Sequence, residues 1–258
     1  MLELDASVIG SWIGGLFWPF IRISTFFMVA PIVGAQLVPV RIRILLSLLV
    51  TMAVAPHIPA VPVVDLLSVE NVAIAIQQML IGLGMGYALQ FLLQMFVMAG
   101  QLIAMKMGLG FASMVDPTSG VSVPVVSQFH LLMVTLLFLV VNGHLVMIDV
   151  LAASFNAIPV SSSGLTSAAY WHLAGMLSWM MAGALLIALP AITALLIVNS
   201  TLGVITRAAP QLNIFSVGFP FMVLLGLGII WVSMTSYLPH FERYSAEVLE
   251  MMALLPRY

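Results

Sequence analysis

The stretch from residue 71 to residue 105 reads NVAIAIQQMLIGLGMGYALQFLLQMFVMAGQLIAM and contains no charged residue. A helix needs about 20 apolar residues to cross the hydrocarbon core of a bilayer, and a charge at its centre adds roughly 2.5 to 3.5 kcal/mol. This stretch is long enough for a complete crossing. It decides the fold class, because other long uncharged runs, such as residues 150 to 206, repeat the pattern along the chain.

The composition of the chain agrees with a membrane location. Of 258 residues, 63% are apolar and 6% are charged, whereas about a quarter of the residues of a soluble domain are charged. The formal charge of -2, without any basic run, excludes nucleic acid as a partner. The chain has no cysteine, which excludes disulfides, thiol nucleophiles and thiolate metal sites. We therefore predict a polytopic integral membrane protein.

Charges and turn residues divide the chain into apolar segments. Pro31 to Gly34, Pro56 to Pro62 and Pro159 to Gly164 mark three of the divisions. The predicted fold is an all-α integral membrane protein that forms one membrane-embedded domain over residues 1–258. We expect six long apolar helical segments, near residues 8–33, 42–58, 70–105, 126–152, 166–205 and 214–238. A short amphipathic helix is predicted for the charged C-terminal tail.

Two features within these segments bear on helix packing. The series Gly82-x-Gly84-x-Gly86 allows two helix backbones to approach closely. Arg22 lies inside the first segment, where an unpaired charge is costly. Three arrangements are open for this side chain, which can snorkel to the membrane surface, pair with a carboxylate such as Asp149, or face another subunit.

The polar residues do not form a pattern typical of an enzyme. The series from Gly108 to Ser113 resembles G-x-G-x-x-G, but it ends in serine and lacks the preceding strand of a dinucleotide site. The five histidines are scattered over different segments, with no H-E-x-x-H motif: His57, His130, His144, His172 and His240. We predict no catalytic activity, no metal site and no cofactor.

Residues 106–125 predict an unusual loop. The helical pattern stops at Gly108, and the following residues are small, apolar and rich in methionine, unlike a solvated loop. Irregular backbone at membrane depth is tolerated only where it is buried in protein or lines a cavity, and flexible methionines can seal against varied surfaces. The loop is therefore either a plug or a buried re-entrant loop without a gating role. Its candidate residues are Met105, Met107, Gly108, Leu109, Gly110, Phe111, Ala112, Ser113, Met114, Val115, Asp116 and Pro117.

Four motifs, in order along the chain, carry a family resemblance. They are Ala30–Gly34 with Val38–Arg43, Gly108–Pro117, Leu139–His144, and Arg207–Phe215 with Val217–Pro220. On these residues the chain resembles the FliR/YscT/SpaR family of type III secretion export-gate proteins. The resemblance extends over nearly the whole chain and includes a flagellar branch, FliR, and an injectisome branch.

The resemblance implies a fold and a role that periodicity alone does not give. Members of this family are helical hairpins wound into a spiral pore assembly, so partner subunits are expected to cover many of the apolar segments instead of lipid. The implied partners are the FliP and FliQ export-gate subunits and FlhB, at the flagellar basal body in the bacterial cell inner membrane. Unfolded flagellar export substrates would pass through the pore, and the loop from Gly108 to Pro117 would close it.

The resulting prediction is a structural and gating subunit of the flagellar type III protein export gate. One alternative is the homologous subunit of a virulence injectisome. Another is a solute or ion transporter, which only Arg22 and Asp149 support. Asn142, Gln211 and Asn213 are expected to form interhelical hydrogen bonds, because unsatisfied amides are expensive in this setting. The residues expected to matter for packing and assembly are Arg22, Asn142, Gly143, His144, Arg207, Pro210, Gln211 and Asn213.

Overall fold

A computed structural model of the chain describes most of its length. The described residues are 6–35, 37–59, 62, 68–110, 124–161, 164–208 and 218–255, with the backbone alone described for residues 6–14.

The described residues form eight α-helices. They are α1 (Ala6–Val29), α2 (Val40–Val54), α3 (Val69–Lys106), α4 (Val125–Val140), α5 (Gly143–Ala157), α6 (Ser167–Ala208), α7 (Phe219–Ser233) and α8 (Tyr237–Leu254). Short 3-10 turns, Ala55–His57 and Met234–Ser236, follow α2 and α7. No strand occurs among the described residues. The predicted all-α class is confirmed, and α8 is the helix predicted for the C-terminal tail.

Four helical stretches among the described residues are long and apolar enough to cross a membrane. They are Val40–His57, Val69–Lys106, Ser167–Ala208 and Phe219–Leu254. The bent pair α4 and α5 would make a fifth span. Helix α1 is described with its side chains only over Gly15–Val29, an apolar stretch of 15 residues. The predicted number of six segments is therefore approximate. The predicted segment 126–152 consists of two helices instead of one.

Asn142 produces the break between α4 and α5. Its backbone is left-handed, with φ of 58°, a conformation that asparagine adopts more readily than most residues other than glycine. The N–H of Asn142 donates to the carbonyl of Leu139, and its own carbonyl accepts from the N–H groups of Leu145 and Val146. One helix thus ends and the next begins at this residue.

Helix α2 has the distribution of side chains expected in an apolar environment. It buries Ser47 and Thr51, whose hydroxyls donate to carbonyls one turn earlier, Arg43 and Ser47 respectively. Its leucines face outward instead, with Leu49 65% exposed. A helix packed in water shows the opposite arrangement. Several membrane-spanning helices therefore agree with both the composition and the burial of the chain.

The chain divides into two compact units. Unit 1 comprises Met1–Phe91, Leu139–Met176 and Glu247–Tyr258, and unit 2 comprises Leu92–Phe138 and Leu177–Ala246. Phe26, Ile74 and Phe155 are fully buried in unit 1, and Phe96 and Leu195 are fully buried in unit 2. A single domain over residues 1–258 stays a prediction.

Candidate functional site

Arg22 is the most deeply buried charge among the described residues of unit 1. Its side chain has no exposed surface. The Nε–H group donates to Gln78 Oε1 at 2.8 Å. Nη1 donates to the carbonyl and the Oγ of Ser154 at 3.1 and 3.2 Å, and Nη2 donates to the carbonyl of Ile158 at 2.8 Å. The guanidinium carbon lies 4.3 Å from the centre of the Phe155 ring, within cation–π range.

These contacts explain how a cation is buried beside neutral groups. Ser154 lies in the last turn of α5 and Ile158 directly follows the helix, where the helix dipole is negative. The Ser154 carbonyl also accepts from the N–H of Ile158 at 2.8 Å. The guanidinium is planar with five donors, which suits several acceptors at once. The end of α5 therefore takes the place of a carboxylate. Arg22 does not snorkel, because it is completely buried, and its partners do not include Asp149, which is exposed.

The glycine series on α3 brings this helix close to α1. A Cβ atom on Gly82 would overlap Thr25 Oγ1 and the carbonyl oxygen of Arg22, and one on Gly86 would lie 2.9 Å from the carbonyl oxygen of Phe26. The predicted close backbone approach is confirmed. The close approach of α1 and α3 places Gln78, one turn before Gly82, within hydrogen-bond distance of Arg22. Sequence reasoning missed Gln78 and Ser154, although Gln78 is one of the few polar residues in the run from 71 to 105.

The end of α3 lies in unit 2 and closes with a defined turn. Gly108 has φ of 84°. Its N–H donates to the Met105 carbonyl at 3.2 Å, and the N–H of Leu109 donates to the Ala104 carbonyl at 3.0 Å. This pair of bonds, around a left-handed glycine, is the Schellman motif that commonly ends helices. The predicted stop at Gly108 is confirmed. Of the predicted loop from 106 to 125, residues 111–123 lie outside the described part of the chain.

The two methionines at this turn have different surroundings. Met107 is 1% exposed, and a Cβ atom on Gly226 would lie 2.5 Å from its Cγ and Cε atoms. Met105 is 55% exposed. A Cβ atom on Gly108 would lie 3.3 Å from the ring of Phe219. Helix α7 thus packs against the turn at the end of α3 through Met107, while more than half of the Met105 side chain is exposed.

The other predicted residues are distributed as follows. Asn142 is exposed, and its side chain makes no capping hydrogen bond. Gly143 is buried, His144 is half-buried, and Arg207 is exposed in the last turn of α6. Several residues lie outside the described part of the chain, and their roles stay predictions: Phe111, Ala112, Ser113, Met114, Val115, Asp116, Pro117, Pro210, Gln211 and Asn213.

Comparison with known proteins gives a consistent result. Residues 13–248 match the model of a family described as bacterial export proteins, family 1. A flagellar biosynthetic protein FliR from Escherichia coli (strain K12) is 36% identical over 98% of this chain and 97% of its own length. Proteins of the same name from Pectobacterium carotovorum subsp. carotovorum and Buchnera aphidicola subsp. Schizaphis graminum (strain Sg) are 37% and 32% identical. They are matched over 98% and 94% of this chain, and over 97% and 93% of their own lengths.

Proposed function

We propose that this chain, which belongs to the bacterial export proteins, family 1, is a structural and gating subunit of the flagellar type III protein export gate. Family membership makes it a membrane component of flagellar biosynthesis and type III protein export. The proposal adds that the chain helps to form and close the pore through which unfolded flagellar proteins are exported. The role is non-enzymatic and requires no cofactor.

The observation that carries the gating role is the construction of the loop's root. Switching segments are commonly attached through a few residues at the end of a structural element. Here the base of the loop is the turn at Gly108, which two backbone hydrogen bonds define and the burial of Met107 secures. The exposed Met105 at the same turn gives the base a flexible apolar contact of the kind that seals against varied surfaces.

The proposed setting is a complex with the FliP and FliQ subunits and FlhB, in the inner membrane at the flagellar basal body. The large apolar surface left exposed on α2 and α6 supports coverage by neighbouring subunits, with Leu49 65% and Ile197 62% exposed. The three relatives named above are flagellar proteins, which favours the flagellar branch over the injectisome.

The transporter alternative loses its main support. It depended on a pair of opposite charges within the membrane, formed by Arg22 and Asp149. The partners of Arg22 are instead Gln78, Ser154 and Ile158. A guanidinium held by neutral groups inside the protein serves packing better than ion coupling.

Deletion of residues 110 to 115 tests the gating role. We expect membranes that contain the assembled complex to become permeable to ions and small dyes, because the pore loses its closing segment. Permeability is measured in vesicles, and assembly is measured by co-purification with FliP and FliQ. The control variant carries a Gly/Ser segment of the same length in place of residues 110 to 115, which restores the length without the apolar contacts. Membranes that contain this variant should be permeable as well.

Two results would contradict the proposal. An assembled deletion variant with unchanged permeability would mean that the loop does not close a pore. A deletion variant that fails to assemble, while the Gly/Ser replacement assembles and remains tight, would assign the loop to folding instead of gating.

A further inference from the structure

The side chain of Met107 fills a notch in α7 where the helix has no side chain. A Cβ atom on Gly226 would lie 2.5 Å from the Cγ and Cε atoms of Met107 and 2.6 Å from its sulfur. The thioether thus occupies the space that any larger residue at position 226 would need. Gly228, on the same helix, has no described atom within 4 Å of such a Cβ atom. The notch therefore belongs to position 226, and both Met107 and Gly226 are buried.

A second residue of α7 borders the same turn. Phe219 lies about two helical turns before Gly226, which places both residues on one face of α7. The Phe219 ring lies 3.3 Å from a Cβ atom built on Gly108, the left-handed glycine that directly follows Met107. Helix α7 thus adjoins two consecutive residues where α3 ends. The direction of the chain beyond Gly108 depends on how firmly these two residues are held.

We propose that Met107 is a positioning residue of the export gate, and that its packing against Gly226 holds the turn at Gly108 in the orientation that keeps the pore closed. Met107 is the last fully buried side chain of this turn, whereas Met105 is more than half exposed. A close-packed contact transmits a change of volume to the backbone beside it, because little empty space remains to absorb the change. This role rests on the gating function proposed above.

The same kind of contact occurs in unit 2 away from the turn, and it provides a matched control. Met95 of α3 is fully buried, and a Cβ atom on Gly183 of α6 would overlap its sulfur atom. Met95 lies about 18 Å before Met107 along α3, at roughly 1.5 Å per residue. Substitutions at Met95 and Gly183 therefore disturb a similar contact without touching the end of α3.

The test exchanges the helix that carries the side chain. Gly226→Met places a second thioether where Met107 lies, and Met107→Ala removes the first. The double variant, Met107→Ala with Gly226→Met, restores nearly the original volume, and such exchanges are tolerated best in packed interiors. Gly183→Met and Met95→Ala are the controls. Each variant is assembled with FliP and FliQ in vesicles, where permeability to ions and a small dye is measured. Thermal unfolding of each purified chain measures the loss of packing.

We expect Gly226→Met and Met107→Ala each to raise the dye permeability of the vesicles severalfold, because the turn is no longer held. The double variant should bring the permeability back close to that of the original complex. Gly183→Met and Met95→Ala should also lower the midpoint of thermal unfolding, yet their vesicles should stay tight. A purely structural role of Met107 would not produce this difference between the two pairs.

Three results would contradict the proposal. Equal leakage from the two pairs would assign the leak to loosened packing in general. Tight vesicles with Met107→Ala would show that the contact does not hold the pore closed. This variant adds no bulk, so it decides the question if Gly226→Met does not assemble. A double variant that leaks as much as Gly226→Met would show that the match between knob and notch is irrelevant.

Deletion of residues 110 to 115, measured in the same vesicles, separates this role from the gating function. A leaking deletion variant beside tight Met107→Ala and Gly226→Met variants would overturn the positioning role and leave the gating function standing. A tight deletion variant in an assembled complex would overturn the gating function, and the positioning role with it.

Discussion

The buried polar groups around Arg22 in unit 1 and around Tyr237 in unit 2 differ in how fully their hydrogen bonds are made. Every nitrogen of the Arg22 guanidinium donates to an oxygen, although Gln78 Nε2 has no partner among the described residues. The hydroxyls of Tyr237 and Ser127 have none there either, and a cavity along α7 adjoins Tyr237. A nearly complete network fixes helices in one arrangement, whereas the buried hydroxyls of Tyr237 and Ser127 leave their hydrogen bonds unmade among the described residues.

The same contrast appears in the glycine contacts. In unit 1, Gly82 and Gly86 face backbone oxygen atoms of α1, which cannot move without moving the helix. In unit 2, Gly183 and Gly226 face the side chains of Met95 and Met107, which have several rotatable bonds. Position 82 is therefore expected to respond sharply to added atoms, and position 226 weakly.

The largest expected effect comes from Arg22→Met. Without the guanidinium, Gln78 and Ile158 lose a donor inside the protein. Each acceptor left unsatisfied costs about 1 to 3 kcal/mol, so the free energy of unfolding should fall by about 2 to 6 kcal/mol. The midpoint of thermal unfolding in detergent measures this loss. Arg22→Lys is the control that keeps the charge, but its single ammonium does not reach all the acceptors, so an intermediate loss is expected. If Arg22→Met is as stable as the original chain, the hydrogen bonds of Arg22 do not stabilise unit 1, and the contrast with the polar groups around Tyr237 does not hold.

Gly82→Ala should have the second largest effect. Its methyl group would overlap a backbone oxygen of α1, and overpacking of this kind costs about 1 to 3 kcal/mol. Gly175→Ala is the matched control on α6, where no described atom lies within 4 Å, and it should stabilise slightly through helix propensity. Thermal unfolding of both variants is compared. Equal midpoints would show that the approach of α1 and α3 is not tight.

Gly108→Ala tests the turn at the end of α3. An alanine in the left-handed conformation costs roughly 1 to 2 kcal/mol, whereas asparagine tolerates this conformation better. We expect faster proteolytic cleavage after Lys106 in the alanine variant and a smaller change in Gly108→Asn. If both variants are cleaved like the original chain, the turn does not control the root of the loop.

The smallest effect is expected for Gly226→Ala. The added methyl group meets only the flexible end of Met107, so the free energy of unfolding should change by less than about 1 kcal/mol. The informative quantity is the difference from Gly82→Ala under the same conditions. A loss as large as that of Gly82→Ala would show that Met107 is held as rigidly as a backbone.

Much of the fold was predictable from the sequence. The uncharged run from 71 to 105 predicts α3 almost to its ends, because a charge is excluded from the bilayer core and so marks where a span stops. Gly108 predicts the helix end, because glycine adopts φ > 0 without strain. The break at Asn142 was missed, although Asn142-Gly143 is a dipeptide typical of turns, because a long apolar run surrounds it.

The candidate site was less predictable. Sequence reasoning identified Arg22 as unusual but not its partners, which lie 56 and 132 positions away along the chain. The cavity along α7 gave no local signal, because its walls come from α3, α4, α6, α7 and α8 and consist mostly of ordinary apolar residues. A pattern of apolar residues shows where a helix lies in lipid, but not which helix it touches.

The sequence by itself determined that this is a helical membrane protein, where α3 stops, and which family the chain belongs to. These properties depend on residues close together in the chain or on ordered motifs along it. Only the tertiary structure decided that Arg22 binds the end of α5 and that Tyr237 lies beside a cavity. Both depend on how distant helices pack. Most helices of this chain are apolar on every side, so their packing is set by the shapes of the glycines and side chains in contact. The spacing of apolar residues along the sequence does not show these shapes.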